Sequence, residues 1–199
     1  MRTRRLLSPS LSSAPSGGEG ARRAGEEAHL VRTVLLLLLA LLTGCASSTR
    51  ETPQQREENA RVLLDQTTRN FHLPSADARG AERDRLLAEA ASGYERLLRQ
   101  YPGQSHLCAQ ALRSLGNVRA SQDRLDDAVK LYAAVAHKYP GEDWEIVSSW
   151  KSAADLLAEA GRMPDAKPFY EKILGRFDKP DAPAVIKSIV RGSRARLAQ

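Results

Sequence analysis

Apolar residues recur along this chain at helical spacing, and the pattern they make recurs at a longer one. Within Asp127 to Pro140, Ala128, Tyr132, Val135 and Tyr139 stand three or four residues apart and end on Pro140. That is the stripe of a helix with one buried face. The same residue types stand upstream, in the same order and spacing, as Ala90, Tyr94, Leu97, Tyr101 and Pro102. At an equal interval downstream they stand as Ala166, Tyr170, Ile173 and Phe177, with the proline displaced to Pro180. The interval falls within the range of roughly 20 to 50 residues that marks stacked supersecondary units, each too small to bury its own apolar face.

The segments between these stripes supply their partners. Thr52, Pro53 and Gln55 have the order of an N-cap, a first-turn proline and a capping-box residue. Ala60, Leu63, Leu64, Thr67 and Phe71 follow on one face, and the helix must stop before Leu73-Pro74. A polar loop with Asp77 and Gly80 leads to a helix ending at Tyr101, whose inner side carries Leu86, Leu87, Ala90, Tyr94, Leu97 and Leu98. Ser105 to Ala120 is predicted helical with Leu112, Leu115 and Val118 inward, and Ser121 to Arg124 is predicted as a turn. Pro168 removes a main-chain donor and should bend its helix. No window alternates with period two, and Leu, Ala, Arg and Glu outnumber the β-branched residues, so the predicted class is all-α.

Ahead of these helices, Val31 to Cys45 reads VRTVLLLLLALLTGC. A positive residue, Arg32, precedes an apolar run over Val34 to Leu42, followed by small residues: the layout of an export signal. The run is well short of the roughly 20 residues that span a bilayer as a helix. Leu42-Thr43-Gly44-Cys45 resembles the lipobox of bacterial lipoproteins. The resemblance implies that residues 31 to 44 are cleaved off and that Cys45 is acylated on its thiol and its new amino group, with no other cofactor. Two or more acyl chains make such an attachment stable. Ala46, standing where an aspartate favours inner-membrane retention, points to the outer membrane. Residues 45 to 51 form a lipidated tether whose polar part reaches at most about 20 Å. Residues 1 to 30 are rich in Ser, Gly and Arg and precede a complete signal, so they read as a leader either untranslated or disordered.

Leu112, Leu115, Gly116, Ala128, Tyr132 and Pro140 stand at the spacing of the tetratricopeptide motif, with Leu112 for its tryptophan. Arg119 replaces the motif's tyrosine and Asp123 the glycine often found at its turn. Trp150, Ala153, Ala154, Leu157, Gly161, Ala166 and Tyr170 repeat the pattern in register. From Ala88 to Phe177 the chain therefore resembles the tetratricopeptide-repeat (TPR) family. The resemblance implies a short TPR-like α-solenoid of antiparallel helical hairpins over residues 52 to 199. Its units would cover about 71–108, 109–146 and 147–184, closed by a capping helix over 182–198. Asp77 stands where the motif has leucine, so Thr52 to Phe71 is either a displaced first helix or an added one.

Together with the lipobox, the repeats resemble outer-membrane lipoproteins of the BamD type and their relatives in pilus and Tol-Pal systems. That resemblance implies a non-enzymatic scaffold held at the periplasmic face of the outer membrane, with an envelope protein or peptide as partner. A chaperone-like pilus or secretion assembly lipoprotein is the alternative, and an envelope hydrolase or metal-dependent protein a third. The family's concave groove maps onto Gln110, Arg113 and Asn117 of one helix and Ser148, Lys151 and Asp155 of the next. Arg113 with Asn117, and Lys151 with Asp155, are i, i+4 pairs on one side of their helices.

Charge and candidate chemistry change this picture little. The formal net charge is +6, but six arginines and three glutamates lie at or before Cys45, leaving 24 basic against 21 acidic residues beyond it. Their signs interleave as on solvated helix faces, and no basic stripe carries interleaved aromatics, which argues against nucleic acid as a partner. Lys187, Arg191, Arg194 and Arg196 form one acid-free run, read as a solvated basic helix. No Gly-rich phosphate loop, Ser/His/Asp arrangement or close-spaced metal motif appears, so neither catalytic residues, nor a metal site, nor a small-molecule substrate is expected. His106, Cys108 and His137 fall at one end of the same predicted hairpin. They read as a small buried residue and two helix-end histidines sooner than as ligands.

Overall fold

The structure is a computed structural model that describes residues 51–198. The leader, the signal over 31–44, Cys45 and the tether as far as residue 50 lie outside the described residues. Among the described residues every regular element is helical. Helix α1 (Pro53–Thr67) continues through a π turn (Thr68–His72) and a short 3₁₀ turn (Pro74–Ala76). There follow α2 (Gly80–Gln100), α3 (Ser105–Ser121), α4 (Leu125–Lys138), α5 (Asp143–Glu159), α6 (Met163–Phe177) and α7 (Ala184–Leu197). The all-α reading holds, and helix ends fall within two residues of the predicted ones except at the start of α1's continuation, where the π turn replaces regular helix.

Local chemistry fixes the ends. The Thr52 hydroxyl accepts from the Gln55 amide at 3.2 Å, and Gln55 Oε1 accepts from the Thr52 amide at 3.0 Å, so the capping box closes reciprocally. Helices α3 and α5 end alike. The Arg124 amide reaches back to the Arg119 carbonyl at 2.9 Å and the Asp123 amide to Ala120 at 3.0 Å. At the equivalent turn after α5, Arg162 reaches Leu157 at 2.8 Å and Gly161 reaches Ala158 at 3.0 Å. Both are Schellman closures, which place one residue in the left-handed region. That residue is Asp123 (φ 58°) in one turn and Gly161 (φ 74°) in the other. Helix α6 runs unbroken through Pro168; the carbonyl it leaves without a donor belongs to Pro164, in the exposed first turn.

Consecutive helices pack together along the whole described chain. In α3 and α4 the pairing is antiparallel: Gly116 lies against Tyr132 near the turn, while Ala109 and Leu112 join Val135 farther from it. The two larger core clusters each join more than one hairpin. One cluster takes Ala60 and Leu64 from α1, Leu87, Ala90, Tyr94 and Leu97 from α2, and Cys108, Ala111 and Leu115 from α3. A second takes Leu112, Val135, Ile146, Trp150, Ile173 and Val190 from α3 through α7. Trp150 and Phe177 meet there edge to face, with ring centroids 6.1 Å apart. Of the repeated positions, Ala90, Tyr94, Leu97, Ala128, Tyr132, Val135, Ala166, Tyr170, Ile173 and Phe177 are buried, and Tyr101 and Tyr139 are half-buried.

Glycine positions give a graded test of this packing. A Cβ on Gly116 would sit 2.6 Å from the Tyr132 ring, so Gly116→Ala should destabilise by about 1 kcal/mol, the low end for overpacking because Ala154 fills the equivalent place one unit on. Gly161→Ala should cost about 1 kcal/mol through its left-handed backbone. Gly175→Ala, in the last turn of α6 with open space around it, should instead stabilise by less than about 1 kcal/mol. Urea unfolding of the three variants checks the order; equal midpoints would contradict the close approach of α3 and α4.

Candidate functional site

Helices α1, α3, α5 and α7 also touch in succession, forming a row alongside the sequential packing. The six residues assigned from the sequence lie on the middle two of that row. Gln110, Arg113 and Asn117 on α3 stand one repeat interval before Ser148, Lys151 and Asp155 on α5.

Four of the six have partners within the fold, three of them on another helix. Arg113 Nε donates to Glu145 Oε2 at 2.6 Å across α3 and α5, and the two side chains are only 23% and 3% exposed. Asn117 Oδ1 accepts from the Tyr132 hydroxyl at 2.7 Å, and Asp155 Oδ1 accepts from the Tyr170 hydroxyl at 2.8 Å. Asp155 also pairs with Lys151. Lys151 is otherwise exposed, while Gln110 and Ser148 are half-buried. Gln110 lines a hollow of about 290 Å³ between α1 and α3, together with Arg61, Leu64, Asp65, Thr68, His106 and Leu107.

Electrostatics around this row centre on Arg113. Burial pushes the Tyr132 phenol up to about 12, with the Arg113 charge opposing. Burial, then the hydrogen bond to Asp155, pushes Tyr170 up to about 12. Both phenols therefore remain protonated donors near neutral pH. In the first hairpin Tyr94 Oη lies 3.0 Å from Thr68 Oγ1 and 2.8 Å from His72 Nδ1. Burial lowers the His72 pKa, and the Arg113 charge lowers it further.

The sequence reading did not single out Glu145, an acid in the first turn of α5. Its wide separation from Arg113 along the chain carries no local signal. The His106, Cys108 and His137 group does not assemble. Cys108 is fully buried, its Sγ donating to the Tyr101 carbonyl at 3.2 Å, and burial pushes its thiol pKa up. His106 Nδ1 instead lies 3.1 Å from Glu142 Oε2, and His137 is exposed. Among the described residues no three His, Cys, Asp or Glu side chains converge as metal ligands, and no helix is long and apolar enough to cross a membrane. The chain matches no protein-family model and no curated protein.

Removing Arg113 strands a carboxylate that has almost no access to water, so Arg113→Ala should cost about 3 kcal/mol or more. Lys151→Ala, which breaks an exposed i, i+4 pair, should stay within about 0.5 kcal/mol. Replacing both partners, as Arg113→Met with Glu145→Leu, should recover most of the loss. Denaturant midpoints decide this, and equal costs for the two single variants would contradict a buried pair.

His72 gives a pH test with a definite sign. Its folded-state pKa lies below the ordinary 6.5, so between the two values the unfolded chain binds the extra proton. Its contribution is complete above about 6.5 and falls as pH drops through that window. The Tm of the wild-type protein should therefore decline more steeply than that of His72→Gln between neutral and mildly acid pH; parallel profiles would exclude a buried neutral imidazole.

Proposed function

We propose that this chain is a membrane-anchored interaction scaffold of the bacterial cell envelope. In this reading Cys45 carries the lipid, the body is a short TPR-like α-solenoid at the periplasmic face of the outer membrane, and an envelope protein or peptide binds along the row α1, α3, α5. The observation that carries it is the recurrence of one built unit. The Tyr132–Asn117 and Tyr170–Asp155 bonds, and the two Schellman turns, repeat at the same interval as the apolar stripes. Similar hairpins stacked at a fixed interval present comparable helix faces side by side, which suits an extended partner better than a compact substrate.

The engaged side chains narrow the groove. Arg113, Asn117 and Asp155 hold helices together, so Gln110, Ser148 and Lys151 are the members left to meet a partner, joined by Arg61, Asp65 and His106 around the hollow. A photo-crosslinking residue placed at 110 or at 151 in cells should capture the same protein, while one at the exposed Glu171 on α6 should not. In parallel, Cys45→Ser should abolish incorporation of an alkyne-labelled fatty acid. Equal capture from all three positions would refute the groove, and retained lipid label would refute the anchor.

A further inference from the structure

The end of α6, the joint after it and one face of α7 enclose a separate hollow of about 600 Å³, lined by Phe177 to Pro180 and by Ala184, Lys187, Val190, Arg191 and Arg194. The α7 residues recur at i, i+3, i+6, i+7 and i+10, a single helix face. Phe177 and Val190 are buried in its wall, while Pro180 and Ala184 are exposed and supply its open apolar surface. Lys179, Lys187, Arg191 and Arg194 form the rim. Asp178 is the one acid in the lining, and it is already paired with Arg194. Among the described residues no carboxylate lies within ion-pair distance of Lys179, Lys187 or Arg191, although Asp181 stands in the same joint.

We infer that this hollow binds an acidic peptide segment of a partner protein, carboxylates on the Lys187 and Arg191 rim and one apolar side chain against Pro180 and Ala184. It is a second surface, at the opposite end of the stack from the hollow at Gln110, and goes beyond the scaffold reading. Charge complementarity sets the sign of the ligand, and the exposed apolar lining sets its character: a purely polar polyanion leaves Pro180 and Ala184 uncovered. Single-stranded nucleic acid calls for exposed aromatic platforms, and the one aromatic ring here is almost fully buried.

The test is fluorescence anisotropy of the full chain in mild detergent with the fluorescein-labelled peptide Asp-Glu-Leu-Phe-Glu-Asp. Binding should weaken with added salt and should fall when Leu-Phe is replaced by Ser-Ser. Lys187→Glu with Arg191→Glu should weaken it by about tenfold or more, and Lys187→Gln with Arg191→Gln by less. Lys130→Glu on α4 should leave it unchanged. Both sites are exposed, and circular dichroism of the Gln variant fixes that the helices are intact. Absent or salt-insensitive binding overturns the proposal, as does unchanged affinity in the Glu variant. So does tighter binding of phosphatidylglycerol vesicles or oligothymidine through the same two residues.

Discussion

A tyrosine laid across a helix that has no side chain beneath it sets the spacing on which the other packing depends. At Gly116 the Tyr132 ring occupies the place a Cβ would take, and the hydroxyl reaches one residue on to Asn117. Ring and hydroxyl make different demands. The ring needs a small residue to approach the backbone, and the buried hydroxyl needs an acceptor, since an unpaired polar group there costs about 1 to 3 kcal/mol. Gly116-Asn117 meets both demands, and Ala154-Asp155 meets them again for Tyr170. A hairpin bound in this way has a fixed separation and a fixed register. The outer faces of its helices then stand where the next hairpin can cover them.

The first hairpin shows what happens when the acceptor is missing. Arg79 stands one repeat interval before Asn117, and no acceptor in that position serves Tyr94. The phenol turns to Thr68 and His72 instead, which the π turn after α1 presents. An extra residue in the turn rotates those side chains relative to a regular helix. Gly93 meanwhile lies against Thr67, so the close approach is kept with the small residue moved to the other helix. The irregular geometry of α1 thus follows from the same constraint as the regular hairpins. Its contact with α3 places it in the row with α5 and α7.

Features written in a short stretch of sequence were legible. The helix class, the apolar stripes, the Thr52 capping box and the buried Tyr, Ala and Val positions all came from spacing, because a helix converts spacing directly into a face. Asp123 was visible as a departure from glycine, and its positive φ shows that the turn kept its shape regardless. The partners of the polar residues were not legible. Arg113 with Glu145 and Tyr94 with His72 join positions far apart in the chain, set by how hairpins stagger and by a π turn. That Gln110, Arg113 and Asn117 lie on one helix followed from spacing; that Arg113 and Asn117 are engaged within the fold did not.

That distinction bears on how such a row of helices can carry function at all. A charge buried between stacked units strengthens specificity of stacking only if its partner is always present, since losing either one leaves the other desolvated. Arg113 meets this condition through Glu145, and its field also acts on His72 and Tyr132. A residue under that constraint is poorly placed to exchange partners with a ligand. Side chains that remain exposed or only partly covered, such as Lys151, Gln110, Lys187 and Arg191, lack it. Under the proposed function, recognition would fall to positions whose loss the fold tolerates, beside positions whose loss it does not. Helicity and binding should accordingly separate cleanly between the two sets of variants.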